Sequence, residues 1–302
     1  MTNAPLFTGS AAAIITPFTK DTVDYPSLGR LLTFQLENGT DAIVVCGTTG
    51  EAATMSYIER MRTIEYTVRH VDGRVPVIAG TGSNNTVNAL TLSRDAASAG
   101  VDGVLVVTPF YNKATQAGLV AHYNTIADKI DLPMIVYDVP SRTGVTVAPE
   151  TYLALSKHPR IVGVKEASGN FAQIQKTREL CGDGFAIWSG NDDDTAAVCM
   201  LGGSGVISVA ANVLPREMHE LTEACRRNDY AEAGRLQLKL RKLIEVLFCE
   251  VNPIPVKTAM HLMGYCEEIL RLPLCTISPE HRAVLVDTLK EYRVELSVPV
   301  AG

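Results

Sequence analysis

No apolar run in the chain approaches the roughly 20 residues that span a bilayer, so no membrane-spanning helix is expected. The first ten residues, Met1 to Ser10, have neither a basic start nor an apolar core, and no signal peptide is expected. An excess of positive charge is missing too. There are 27 Lys and Arg against 33 Asp and Glu, a net charge of -6 with the signs interspersed. That balance argues against nucleic acid or an anionic membrane as partner. Seven cysteines, Cys46, Cys181, Cys199, Cys225, Cys249, Cys266 and Cys275, form no C-x-x-C pair. An odd, scattered set predicts reduced, mostly buried thiols rather than a disulfide frame or a zinc site. The six histidines are equally dispersed, so no metal centre and no cofactor is expected. There is no Walker loop and no G-x-S-x-G elbow. Gly80-Thr81-Gly82-Ser83-Asn84-Asn85 opens like a dinucleotide fingerprint but lacks its last glycine and its acidic partner. The expectation is a soluble, cytoplasmic protein.

What the sequence does have is alternation. At 302 residues it suffices for one large domain or a barrel with an appendage. Short apolar runs recur every 20–30 residues or so, each followed by a helix-length amphipathic stretch, as βα units should. The expected strands are Ala11–Ile15, Ala42–Cys46, Val75–Ala79, Gly103–Val107, Pro133–Tyr137, Ile161–Lys165, Phe185–Trp188 and Gly205–Val209. Eight such pairs predict an α/β fold, a (β/α)8 TIM barrel, over residues 1–226. Past Arg227 strand signals vanish. Leu236, Leu240, Leu243 and Leu247, a segment opened by Pro253 and Pro255, and Leu285, Leu289, Tyr292 and Leu296 predict a C-terminal α-helical extension, 227–302, with a loose tail from Ser297.

One strand stands out. Ile161-Val162-Gly163-Val164 has no polar alternation and reads as buried on both faces, yet it ends in Lys165. Strand ends at the C-terminal mouth of a barrel are where catalytic side chains gather. Desolvation there disfavours the ammonium form and leaves a nucleophilic amine; the alternative is a lysine that snorkels or pairs with Glu166. Other strand ends lead to the same mouth. Gly47-Thr48-Thr49-Gly50-Glu51 offers backbone N–H groups and hydroxyls suited to a carboxylate or phosphate, or else an ordinary βα turn. Thr108-Pro109-Phe110-Tyr111 follows the fourth strand; Tyr137, then Pro140-Ser141-Arg142-Thr143-Gly144, follows the fifth. Singly, a strand-end tyrosine is packing and a loop arginine is solvated. Together they converge on one face.

These segments, with Gly163-Val164-Lys165-Glu166-Ala167 and Asn252-Pro253-Ile254-Pro255-Val256-Lys257, resemble the pyruvate-dependent class I lyases of the dihydrodipicolinate synthase superfamily over nearly the whole chain. The resemblance implies a Schiff base between Lys165 and pyruvate, with Tyr137, Thr48 and Tyr111 as a proton relay to which Tyr111 is contributed by a neighbouring subunit. It implies that Thr48 and Thr49 hold the pyruvate carboxylate and that Gly190 and Ile207 line the pocket by their backbone. Arg142 in its S-R-T-G setting implies aspartate semialdehyde as the second substrate and lysine or diaminopimelate biosynthesis as the context. A homo-oligomer, a dimer or a tetramer built as a dimer of dimers, is also implied. Rival readings are N-acetylneuraminate lyase or ketodeoxygluconate aldolase chemistry, a ligand-binding barrel without catalysis, and a metal-dependent aldolase.

The superfamily's lysine-sensitive members bind that effector at residues matching Ala52, Ala53, Tyr57, Arg60, Asn84, Asn88 and Phe110. The sensitive pattern has a glutamate at the position of Asn88, a tyrosine at that of Phe110 and a histidine at that of Arg60. Weak or absent inhibition by lysine is therefore expected.

Overall fold

The structure, a computed structural model, describes residues 5–298. Eight strands, β1 (Gly9–Ala13), β2 (Ala42–Val45), β3 (Val77–Gly80), β4 (Gly103–Val107), β5 (Met134–Asp138), β6 (Ile161–Glu166), β7 (Ala186–Ser189) and β8 (Gly205–Ser208), close into one parallel barrel in sequence order. The helices α1 (Tyr25–Glu37), α2 (Tyr57–Val71), α3 (Thr86–Ser98), α4 (Gln116–Ala127), α5 (Pro140–Thr143), α6 (Pro149–Leu155), α7 (Phe171–Cys181), α8 (Thr195–Met200) and α9 (Pro215–Arg226) occupy the crossovers and follow the last strand. Then come α10 (Tyr230–Leu247), α11 (Ile254–Leu262) and α12 (Pro279–Glu291). Every expected strand is present, displaced by two residues at most; β5 and β6 each run one residue further, because Asp138 pairs with Glu166 just beyond the pairing of Tyr137 with Lys165.

Alternation along each strand separates two cores. Ala11, Ala13, Ala42, Val44, Ile78, Leu105, Ile135, Ala186, Trp188 and Ile207 fill the barrel interior. Their strand neighbours face outward into the helix layer, which is continuous with the buried Leu236, Leu240, Leu243 and Leu247 of α10. The interior is narrow on the β1–β8 side: Gly9 pairs with Gly205, and a Cβ on Gly205 would meet the Gly9 carbonyl oxygen at 1.9 Å. Phe7 stacks on Trp188 at 5.0 Å and accepts the indole N–H on its carbonyl, closing the lower end.

All seven thiols are free and four, Cys46, Cys199, Cys225 and Cys266, are buried, as expected; Cys275 is exposed and Cys181 and Cys249 are partly covered. One expectation needs correction. The tail is tethered at its start, since the Ser297 and Val298 amides both donate to the Leu262 carbonyl; positions 299–302 lie outside the described residues. No described helix is long and apolar enough to cross a membrane.

Candidate active site

Lys165 and Tyr137 are register partners on adjacent strands, so the pleat turns both inward at the same height. The Lys165 Nζ sits 4.4 Å from the centroid of the Tyr137 ring. Both are buried, at 6% and 7% exposure. Burial pulls the Lys165 amine down from 10.5 to about 8, against the opposing pull of the Asp192 carboxylate; the charge of Arg142 lowers it further. Burial also raises the Tyr137 phenol, while Arg142 and the Thr48 hydroxyl draw it back. The amine can thus lose its proton not far above neutral pH, beside a phenol that keeps its own. Glu166 does not pair with Lys165: it accepts from the Ser168 amide at 2.7 Å.

The G-T-T-G-E turn follows β2 and is gripped from two sides. Thr16 donates to the Gly50 carbonyl at 2.7 Å. Asn252, just before α11, donates to the Thr49 hydroxyl at 3.0 Å, and its carbonyl accepts from Arg142 Nη2 at 3.1 Å. One side chain and its own backbone thereby link the Thr49 turn to α5. Beneath them, Lys257 of α11 pairs with the buried Glu51. The C-terminal segment therefore completes the site as well as following the barrel.

Gly190 lies past the end of β7, where a Cβ would meet Ala167 Cβ at 2.7 Å and Lys165 Cε at 3.1 Å. Any side chain there would crowd the lysine. Ile207 is fully buried in the interior beside β1.

A cavity of about 860 Å3 opens above. Thr48, Tyr137, Arg142 and Asn252 line it, as do Ala52, Ala53, Tyr57, Arg60, Asn88 and Phe110. Lys165, Thr49, Gly190 and Ile207 are not on its wall. Neither are Asn84 and Tyr111. Tyr111 is 89% exposed at a φ of 73°, in the left-handed region that a bulky residue adopts only under constraint, so one chain alone does not bring it to Tyr137. The Tyr57 hydroxyl donates to Asp95 at 2.5 Å and Arg60 Nη2 to the Gly80 carbonyl at 2.8 Å. Among the described residues no group of three or more His, Cys, Asp or Glu is placed to hold a metal ion.

The dihydrodipicolinate synthetase family model matches residues 6–292. The chain belongs to that family. A Thermoanaerobacter protein named 4-hydroxy-tetrahydrodipicolinate synthase is 51% identical over 289 residues, 95% of this chain and 97% of the relative. The crystal structure of dihydrodipicolinate synthase from Aquifex aeolicus superposes with a TM-score of 0.95 at 45% identity, covering 97% of this chain and all of that one. A dihydrodipicolinate synthase from Cyanidioschyzon merolae, solved with lysine bound, has a TM-score of 0.94 at 37% identity and covers 97% and 100%.

Sequence reading singled out Lys165, Tyr137 and the Thr48-Thr49 turn, and the structure brings them to one end of the barrel. That reading assigned no role to Asn252, Glu51, Lys257, Asp138 or Asp192. The first three lie in quoted motifs, but their partners are roughly 110 or 200 residues away in sequence, a separation no local spacing reveals. Asp192 sits in a run, Asp192-Asp193-Asp194, that reads as an ordinary acidic turn.

Proposed function

We propose that this chain condenses pyruvate with L-aspartate 4-semialdehyde to give 4-hydroxy-tetrahydrodipicolinate, the reaction of a Schiff-base lyase in lysine and diaminopimelate biosynthesis. The observation that carries the reading is the buried Lys165 amine against the Tyr137 ring, in a chain of this family. The free amine adds to the keto carbon of pyruvate, and protonation of the resulting hydroxyl lets it leave as water. The iminium then withdraws electrons, a methyl proton departs, and an enamine forms. Its carbon attacks the aldehyde; the substrate's own amine adds to the regenerated iminium, displaces Lys165 and closes the ring.

Tyr137 carries protons through these steps as a positioned acid and base, with Thr48 beside it. Thr48 and Thr49 receive the pyruvate carboxylate at the glycine-flanked turn, and Gly190 and Ile207 keep the pocket close around the ketone. Arg142, exposed at the rim and steadied by Asn252, takes the carboxylate of the semialdehyde with its planar fork. Tyr111 completes the relay in a partner subunit, so the active form is a homo-oligomer, a dimer or a dimer of dimers. Its outward ring and constrained backbone support that role. The barrel, 1–226, supplies the chemistry, and 227–302 braces it. No cofactor is required, and the setting is cytoplasmic.

Two measurements test the reading. Borohydride reduction with pyruvate should leave one reduced pyruvyl group on a Lys165 peptide by mass spectrometry; none, or one on another lysine, overturns it. A coupled assay should then turn over aspartate semialdehyde far faster than it does sialic acid or ketodeoxygluconate in the cleavage direction. It should do so in the presence of a chelator.

A further inference from the structure

Three buried carboxylates, Asp138, Glu166 and Asp192, surround the upper end of β5, β6 and β7. The first two follow Tyr137 and Lys165 directly, so strand alternation turns them away from the interior. Asp192 comes from the loop after β7, two residues beyond Gly190, where the chain packs against Lys165 Cε and the Gly190 amide is tied to the Glu166 carbonyl at 2.7 Å. It is 2% exposed. Its Oδ2 accepts from the Val209 and Ala210 amides at 3.1 and 3.0 Å, just past β8. Its Oδ1 is buried and has no hydrogen-bond partner. A carboxylate excluded from water and fixed through one oxygen must either take up a proton or be answered by a cation nearby. Burial pushes the Asp192 carboxyl up, and Lys165, whose Cε packs against Gly190 two residues earlier in the same loop, opposes that rise without forming a direct ion pair; Asp192 in turn raises the amine. The remaining charge facing Lys165 is that of Arg142, which opposes it. Facing Asp192, besides Lys165, are the Ser208 hydroxyl at the end of β8 and the Val209 and Ala210 amides just past it.

We propose that Asp192 is the fixed counter-charge of the covalent intermediate, a positioning carboxylate that stabilises the iminium on Lys165 without touching substrate. This rests on the Schiff-base reading above. The cation appears when the carbinolamine loses its hydroxyl as water, vanishes when the methyl proton leaves, and returns when the new carbon–carbon bond forms. Lys165 changes charge state through the cycle while Asp192 stays put, held by backbone that need not reorganise. The same anion holds the resting amine in its protonated form to a higher pH, which slows the first attack. The arrangement therefore favours a stable intermediate over a fast start.

Asp192→Asn separates these effects, because an amide oxygen still accepts from β8 while the charge is gone. The acid limb of pyruvate-imine formation should move down by about one pH unit, since the amine deprotonates more readily. Pyruvate saturation of the trapped adduct should weaken about tenfold, because the iminium has lost its partner. A purely structural residue would not shift the limb. A limb that stays put, or one that moves with no weakening of saturation, overturns the proposal. Lys165→Met supplies a test that needs neither pyruvate nor a folded Asp192→Asn. Stripped of its cation, the Asp192 carboxylate should make this variant lose thermal stability relative to wild type as pH rises from 5 to 7.5. Parallel profiles would refute the charge pair, whereas a missing pyruvate adduct in the wild type would refute the Schiff-base reading instead.

Discussion

Lys257 Nζ lies 2.5 Å from Glu51 Oε1, and neither side chain is exposed to solvent at all. The pair joins α11, in the C-terminal segment, to the last residue of the turn that carries Thr48 and Thr49. Glu51 Oε2 accepts from the Arg271 amide at 3.2 Å, and both Lys257 and Arg271 face the Phe18 ring, at 4.1 and 4.2 Å. Glu51 itself holds a left-handed φ of 53°, a conformation its surroundings must impose.

Removing either partner strands a buried charge. Lys257→Met should therefore cost roughly 3–5 kcal/mol of unfolding free energy. Replacing both, as Glu51→Gln with Lys257→Met, should cost less than the sum of the single losses. Denaturant unfolding of the four proteins checks this; strictly additive losses would show that the two residues act separately.

Asp138 gives the fold a pH dependence of its own. Burial raises its carboxyl from 3.8 to about 7, Glu166 adds to that, and the Val147 amide opposes it. Oδ2 accepts from the Val147 amide and the Tyr152 hydroxyl, while Oδ1 is buried without a partner. A folded-state value above the unfolded one stabilises the protonated form. The contribution is complete below about pH 4 and is lost as pH rises through 7. Asp138→Asn, neutral at every pH, should match the wild type near pH 4.5 and exceed it at pH 8 by roughly 2–4 kcal/mol. Thermal unfolding at the two pH values decides it, and a variant no better at pH 8 would refute the assignment.

The strands were legible because parallel strands buried on both faces are runs of Val, Ile and Ala bounded by turn residues, and period alone marks them. β1 is the instructive case. Gly-Ser-Ala-Ala-Ala has little intrinsic preference for a strand, and the expected span, Ala11–Ile15, began two residues late. Pairing to both β2 and β8 holds Gly9 and Ser10 in the ladder, a tertiary effect invisible to local pattern. At the site, Lys165 and Tyr137 were readable as polar ends of apolar strands. The brace formed by Asn252 and Lys257 was not, since it depends on how α11 folds back over the barrel mouth. Nor was the outward direction of Asp138 and Glu166, which follows from the register that turns Tyr137 and Lys165 inward.

Arg142 should separate the two half-reactions. On the proposed role, Arg142→Ala would remove the charged fork for the second carboxylate and should cost roughly 2–4 kcal/mol in kcat/KM toward aspartate semialdehyde. Pyruvate-imine formation should survive. Its acid limb should move upward, because the arginine's charge now helps to lower the Lys165 amine. Equal loss in both half-reactions would make Arg142 a structural residue whose main task is its bond to the Asn252 carbonyl.

The proposed shared role of Tyr111 can be tested without measuring mass. Tyr111→Phe and Lys165→Met should each be strongly impaired alone. On the proposed relay, mixed subunits should regain activity, because one Lys165 site would then receive the intact Tyr111 of the Lys165→Met chain. Co-expressed or refolded mixtures should recover up to about a quarter of wild-type activity if pairs form at random. Mixtures no more active than their separate components would place Tyr111 outside the relay.

Lysine should inhibit weakly or not at all. Six of the seven candidate effector residues line the same cavity as Tyr137 and Arg142, so an effector seated there would be well placed to act on the site. What they offer it is poor. On the expected placement, Asn88 would leave the effector's ammonium without an anion, and Phe110 would offer no hydroxyl to its carboxylate. Arg60 adds a positive charge where the sensitive pattern has a histidine, and its Nη2 is already bonded to the Gly80 carbonyl. Tyr57 does not make up the deficit, because its hydroxyl is given to Asp95. One charged and one neutral hydrogen bond lost should cost roughly 2–4 kcal/mol, about 30- to 1,000-fold in affinity. Restoring both groups with Asn88→Glu and Phe110→Tyr should bring sensitivity back, since the substitutions return the missing anion and hydroxyl to a cavity that already exists. The coupled assay, with lysine titrated to tens of millimolar, measures both proteins. Half-inhibition of the wild type below about one millimolar would mean that the effector is held by groups other than these.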